Sequence, residues 1–179
     1  MAMLVVSIGL PASGKSSLAK QLAGQLENAR VISTDAIRAQ LFGDEIIQGP
    51  WAEIERELQR QFESLVALEG RSPGNDSRMV AIYDATNAQR LHRQEAIALG
   101  RSCGFTPIIG LWVATPVEVC LERNRRRGRQ VPDEVIWKMH EHLQTDPPKR
   151  EDGFDEVIPY PKAGNSTEIA LKLHSKNRT

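Results

Sequence analysis

Residues 3–18 read MLVVSIGLPASGKSSL. An apolar run with the β-branched bias of a buried strand breaks at a glycine, turns through a short loop, and re-enters a helix-forming stretch. Gly9, Gly14, Lys15 and Ser16 fill the pattern G-x-x-x-x-G-K-[ST] in the strand-loop-helix context that pattern requires. Glycines let such a loop wrap closely, so that backbone N–H groups and the positive end of the following helix face phosphate oxygens. Ser13 and Ser17 flank the core of the pattern and join the predicted nucleotide-binding set. Lys15 is expected to neutralise the β/γ oxygens of ATP, and Ser16 to ligate Mg²⁺.

Outward from this loop, short apolar runs alternate with longer helical ones. MLVVSIG, RVIS, MVAIYD, FTPIIGLWV and FDEVIPY read as five strands. A long polar-apolar helical segment follows RVIS, and within WAEIERELQRQFESLVALEG (51–70) the residues Ile54, Leu58, Phe62, Leu65 and Val66 keep a helical stripe, with Gly70 as a stop. That stripe serves a packing helix and a substrate-facing helix equally well. The rhythm predicts an α/β fold, a central parallel sheet of about five strands flanked by helices. RSPGNDSR (71–78) is the best surface loop by composition, and residues 162–179 read as a polar tail able to carry a terminal helix.

At 179 residues the chain suits one domain spanning 1–179. The 23 Lys and Arg balance 23 Asp and Glu, which excludes general attraction to polyanions and leaves only a local basic patch for such contacts. Two cysteines, Cys103 and Cys120, have no metal or redox spacing and are read as buried thiols of a reducing cytoplasm. No apolar run reaches the roughly 20 residues of a membrane helix. Of the four histidines, His92, His140 and His142 are assigned to surfaces, since His140 and His142, two apart on a helix, face different ways.

A phosphate-binding loop does not say where the γ-phosphate goes. In VISTDAIRAQL a strand ends and a helix starts, with Asp35 and Arg38 three apart on one helix face. At the strand's carboxyl end Asp35 is placed to accept a proton from an attacking hydroxyl, and Arg38 to hold an anionic part of the acceptor. The plain alternative is a capping aspartate with a local ion pair. Asp84 ends the third strand in YDATNAQR, where a carboxylate can hold Mg²⁺ through water; Thr86 and Asn87 can cap the next helix or touch substrate.

ERNRRRGRQVP (122–132) packs five arginines into seven positions. With a helix running from Pro116 through residue 127, Arg123 and Arg127 share one flank, Arg125 takes the other, and Arg126 points outward to pair with Glu122. Gly128 is expected to break the helix as a hinge, leaving Arg129 beyond it. The segment about 123–133 is therefore read as an arginine-rich lid whose closing face carries Arg123 and Arg127, against the alternatives of a solvated charge run or a nucleic-acid patch.

GLPASGKSS, STDAIR, DATNAQR and ERNRRRGRQVP followed by GFDEV resemble, in this order, the kinase domain of P-loop polynucleotide 5′-hydroxyl kinases, the phage-type enzyme and RNA-repair kinase modules among them. The resemblance runs from about Met3 to Tyr160. It implies that Asp35 is the general base toward a 5′-hydroxyl, that Arg38 contacts the acceptor phosphate, that Lys15 and Ser16 serve ATP·Mg²⁺, and that lid arginines stabilise the transferring group. The phosphatase motif D-x-D-x-T and the ligase motif K-x-D-G of multi-domain members are not found, so a repair enzyme of this kind works alone or with separate partners. The expected function is transfer of the γ-phosphate of ATP to a hydroxyl, the 5′ end of RNA or DNA. A small-metabolite kinase on the same scaffold, and a nucleotide-switched binding module without transfer, remain the alternatives.

Overall fold

The computed structural model of the chain describes residues 1–69, 78–160 and 165–177. The order is β1 (Met3–Ile8), α1 (Lys15–Gln25), β2 (Ala29–Ser33), α2 (Thr34–Phe42), α3 (Trp51–Glu69), β3 (Val80–Asp84), α4 (Arg90–Ser102), β4 (Ile108–Val113), α5 (Val117–Arg125), α6 (Asp133–Thr145), a 3₁₀ turn Arg150–Asp152, β5 (Glu156–Tyr160) and α7 (Ser166–Asn177). All five strands are parallel, in the order β2-β3-β1-β4-β5. After β1 the chain winds to one side, and after β3 it crosses to the other. Loops on either side of this switch leave a crevice at the strands' carboxyl ends.

Strand side chains alternate between two covered faces. Leu4, Val6, Ile8, Ala81 and Tyr83 enter one core with Ile54, Leu58 and Phe62 of α3, Ala96 and Ile97 of α4, and residues of α5 and α6. Met3, Val5, Val80 and Ile82 enter the other, against Leu18 and Leu22 of α1 and Ile169 and Leu173 of α7. Phe62 is fully buried and meets the rings of Tyr83 and Phe105 edge-on, at 6.0 and 5.2 Å between centroids. Truncating such a ring costs about 3–5 kcal/mol.

Two sequence readings change here. The long helical segment after RVIS is two helices, because Gly43 at φ +83° closes α2 in the left-handed conformation that a glycine tolerates. The terminal helix that the polar tail reads as able to carry is α7, which packs its Ile169 and Leu173 on α1. Cys120 is buried as expected, but Cys103 is only partly so. Gly70 and residues 71–77 of the composition-predicted loop, together with 161–164 and 178–179, lie outside the described residues. Among the described residues no helix is long and apolar enough to cross a membrane.

Candidate functional site

The loop after β1 is shaped by close approach. At Gly9 a Cβ would lie 2.8 Å from the Val113 carbonyl oxygen and 3.0 Å from Ser13 Oγ, so only glycine lets β1 and β4 hold the loop between them. Gly14 sits at φ +100° and opens α1, whose first turn carries no side-chain cap. The uncapped N–H groups and the dipole of this 11-residue helix face the cleft. Thr115 pins the loop from the far side, its hydroxyl donating to the Ser13 carbonyl at 2.8 Å. Ser16 and Ser17, in the first turn of α1, are exposed to the same space.

Lys15 is 7% exposed, and its ammonium donates to the Leu10 carbonyl at 2.6 Å and to Ser13 Oγ at 3.5 Å. Burial lowers its pKa from the ordinary 10.5 to about 8, and the Asp84 carboxylate offsets part of that loss. Strand alternation explains the neighbour. Asp84 is in register with Ser33 and falls on the α1 face of the sheet, while Tyr83 points to the α3 and α4 face. Asp84 is 8% exposed and lines the cleft beside the phosphate-binding loop.

Across the crevice, Ser33 caps α2 by accepting from the Ala36 N–H at 3.5 Å, which places Asp35 in the helix's first turn. Arg38 donates to Asp35 Oδ1 at 2.9 Å, as the i,i+3 spacing predicts. The other oxygen lies 3.5 Å from the Arg129 guanidinium, which also reaches Glu45 at 3.2 Å. Arg38 is largely buried, and its Nε–H has no hydrogen-bond partner among the described residues. Asp35, Arg38, Asp84 and Thr86 all line one cleft of about 1500 Å³ with the phosphate-binding loop. That exceeds the roughly 300–1,000 Å³ of a single small-molecule site and leaves room for a donor and an acceptor together.

The five arginines sort by partner. Arg125 pairs with Asp133 at 2.7 Å, Arg126 with Glu122 at 2.6 Å, and Arg129 with Asp35 and Glu45. Arg123 and Arg127 also line the cleft, and no carboxylate among the described residues engages either one. An ideal Cβ on Gly14 would lie 3.8 Å from the Arg123 guanidinium, so that group hangs over the loop; Arg127 lies close enough to Lys15 to disfavour its charge. Two uncompensated cations and Lys15 thus converge on one end of the cleft.

The expected helix through residue 127 ends instead at Arg125. Asn124, 1% exposed, donates to the Val131 carbonyl at 2.7 Å and accepts from its N–H at 3.0 Å, clasping the two ends of the arginine loop. Bonds from Arg126 N to Arg123 O and from Arg127 N to Asn124 O tighten the last turn to i→i−3 spacing. The break therefore precedes Gly128. At that position φ is not positive and an added Cβ would meet nothing within 4 Å, so glycine is not sterically required.

Asn87 neither caps α4, whose N-cap is Gln89, nor projects freely. Its backbone is left-handed at φ +47°, and its buried amide donates to the Ser7 carbonyl at 2.8 Å, while Gly9 N donates to the Thr86 carbonyl. The turn after β3 thus braces the strand that carries the phosphate loop. Arg93 was not singled out in the sequence, although it is fully buried. Its guanidinium joins Asp152 at 2.7 Å, the Ala88 carbonyl at 3.0 Å and the Asp146 carbonyl at 2.9 Å, tying the start of α4 to the end of α6. The only signal available was an arginine at an inward position of an amphipathic helix. His92 is exposed but lines the cleft, and His142 Nε2 is buried without a hydrogen-bond partner among the described residues.

A family model described as an AAA domain matches residues 4–145. The chain belongs to this family. Its fold is that of P-loop kinases. A curated relative, the L-seryl-tRNA(Sec) kinase of Methanococcus maripaludis, is 26% identical over 147 residues, covering 80% of this chain and 53% of the relative. The chain thus spans about half the length of that relative. Among solved structures, a chain of the Pnkp1/Rnl/Hen1 RNA repair complex superposes with a TM-score of 0.65 at 24% identity, over 86% of this chain and 46% of the other. A gluconokinase from Sinorhizobium meliloti 1021 superposes at 0.58 and 17% identity, over 97% and 94%.

Proposed function

We propose that this protein is an ATP- and Mg²⁺-dependent kinase that transfers the γ-phosphate to a hydroxyl, the 5′-hydroxyl end of RNA or DNA. The observation that carries the reading is the division of one cleft: unpaired Arg123 and Arg127 with Lys15 at one end, and the Asp35–Arg38 pair at the other. Cations without counterions suit the triphosphate, and a carboxylate at the strands' carboxyl ends suits the acceptor.

In this reading Arg38 fixes one oxygen of Asp35, and the other takes the proton of the attacking hydroxyl. The acceptor oxygen bonds to the γ-phosphorus as the bond to ADP breaks. Lys15, Arg123 and Arg127 spread the charge of the transferring group, and closure of the arginine loop as a lid excludes water, which suppresses hydrolysis. Arg129 reaches Asp35 from that loop, so lid and base are coupled. The close-wrapped loop, and the exposed Ser16 hydroxyl in the same cleft as Asp84, fit a nucleotide with its divalent ion, Ser16 and Asp84 being hard oxygen donors. When bound, Mg²⁺ supplies charge neutralisation and orientation of the phosphates.

A nucleic-acid acceptor is supported by the likeness to a chain of an RNA repair complex and by a curated relative named for a tRNA substrate. A small hydroxyl compound is the second reading, favoured by two carboxylates on the cleft wall, Glu55 and Glu95, that no cation among the described residues pairs. Labelled ATP tests both, with 5′-hydroxyl oligonucleotides of increasing length beside a panel of sugars, nucleosides and amino alcohols. Rates that rise with oligonucleotide length support the first reading. Rates confined to one small compound replace it with the second.

A further inference from the structure

Tyr83 ends the apolar part of β3 with its ring in the core and only 3% of its surface exposed. It lines the acceptor end of the cleft, and no hydrogen bond joins its hydroxyl to any described residue. The ring is buried, but the hydroxyl is open to the cleft, where a bound group can reach it. Burial pushes its ionisation well above the usual range, so the group is a neutral hydroxyl.

Two carboxylates face the same space from opposite helices, Glu55 on α3 and Glu95 on α4, and both bear electrostatically on Tyr83. Neither is paired with a cation among the described residues, whereas Glu45, Glu57, Glu122 and Glu156 all are. Arg38, whose guanidinium bears electrostatically on Tyr83, is held by Asp35. These two carboxylates, both exposed to the cleft, repel phosphate and favour N–H donors. Trp51, one turn before Glu55 and half exposed at the cleft rim, adds a flat face suited to a base or a cation.

We propose that the acceptor end of the cleft holds a subsite for an amino group on the acceptor, formed by Glu55, Glu95 and the Tyr83 hydroxyl. It takes the exocyclic amine of a terminal base or the ammonium of a small amino alcohol while the reacting hydroxyl meets Asp35. The proposal rests on reading this cleft as a kinase acceptor site.

Two near-isosteric pairs test it with the full chain: 5′-hydroxyl oligonucleotides ending in cytidine or uridine, and serinol or glycerol. The amine-bearing member of one pair should be phosphorylated with a kcat/KM roughly tenfold higher, the scale of a charge-assisted hydrogen bond. In the Glu55→Gln, Glu95→Gln double variant the preference should fall to about twofold or less, with circular dichroism verifying the fold. Discrimination in the cytidine pair assigns the amine to a base, and discrimination in the serinol pair to a small molecule. Equal rates within both pairs, or a preference unchanged in the double variant, overturn the proposal. If no acceptor is phosphorylated, the kinase reading fails by itself. The subsite is then tested by calorimetric titration of the same four compounds into the ATP-loaded protein, where equal binding within each pair refutes it.

Discussion

Nucleotide binding should draw a proton onto Lys15. With a pKa of about 8 in its buried place, the ammonium is about half deprotonated at pH 8. Keeping it charged there costs about 3 kcal/mol, at about 1.4 kcal/mol per tenfold in proton affinity. A bound triphosphate removes that cost by placing anionic oxygens where the Leu10 carbonyl now receives the ammonium. Uptake should therefore be ~0.1 proton per ATP at pH 7, ~0.5 at pH 8 and ~0.9 at pH 9, and affinity should fall about tenfold between pH 7 and pH 9. Triphosphate ionisation does not mask this, being complete above about pH 7.5. Calorimetry of ATP binding in buffers of different ionisation enthalpy reads the uptake directly. Lys15→Arg, which cannot deprotonate, should show none. Zero uptake by the wild type at pH 8, or equal uptake by the variant, refutes the assignment. The same depressed pKa means the unfolded chain binds more protons between about pH 8 and 10.5, so the free protein should gain stability as pH rises through that window.

Arg123→Ala and Arg127→Ala should each lower kcat about 10²-fold or more, while Arg126→Ala, which removes only an exposed i,i+4 pair, should leave kcat within about twofold and stability within about 0.5 kcal/mol. Equal losses for all three in steady-state assays would return the run to an undifferentiated charged surface. Arg93→Met should destabilise by about 3–5 kcal/mol in urea unfolding, because it removes the buried one of the two guanidinium partners of the Asp152 carboxylate and leaves only Arg90 at 3.1 Å. Leu173→Ala should cost about 2–5 kcal/mol, and a change under 0.5 kcal/mol would show that α7 does not belong to the cooperative core.

The parallel sheet and the phosphate loop were legible because their signals are local. Apolar runs mark strands covered on both faces, and Gly9 to Ser16 fix their own backbone geometry. The Asp35–Arg38 pair was legible for the same reason, as neighbours on one helix turn. The arginine run was legible in its Arg126–Glu122 pair and less so in its backbone, since the helix ends where Asn124 reaches seven residues ahead to Val131. Nothing in the spacing of ERNRRRG announces that clasp. Arg93 with Asp152, and Glu55 with Glu95 around Tyr83, come together only when helices far apart in sequence pack on the same sheet face. Such contacts depend on topology, and periodicity does not carry them.

The central claim, that Asp35 activates a hydroxyl for attack on ATP, is tested most directly by transfer of labelled γ-phosphate to a 5′-hydroxyl oligonucleotide by the wild type and by Asp35→Asn. The wild type should label the end. The variant should bind ATP as tightly in calorimetry and transfer about 10²–10⁴-fold more slowly. Undiminished transfer by Asp35→Asn would contradict the account.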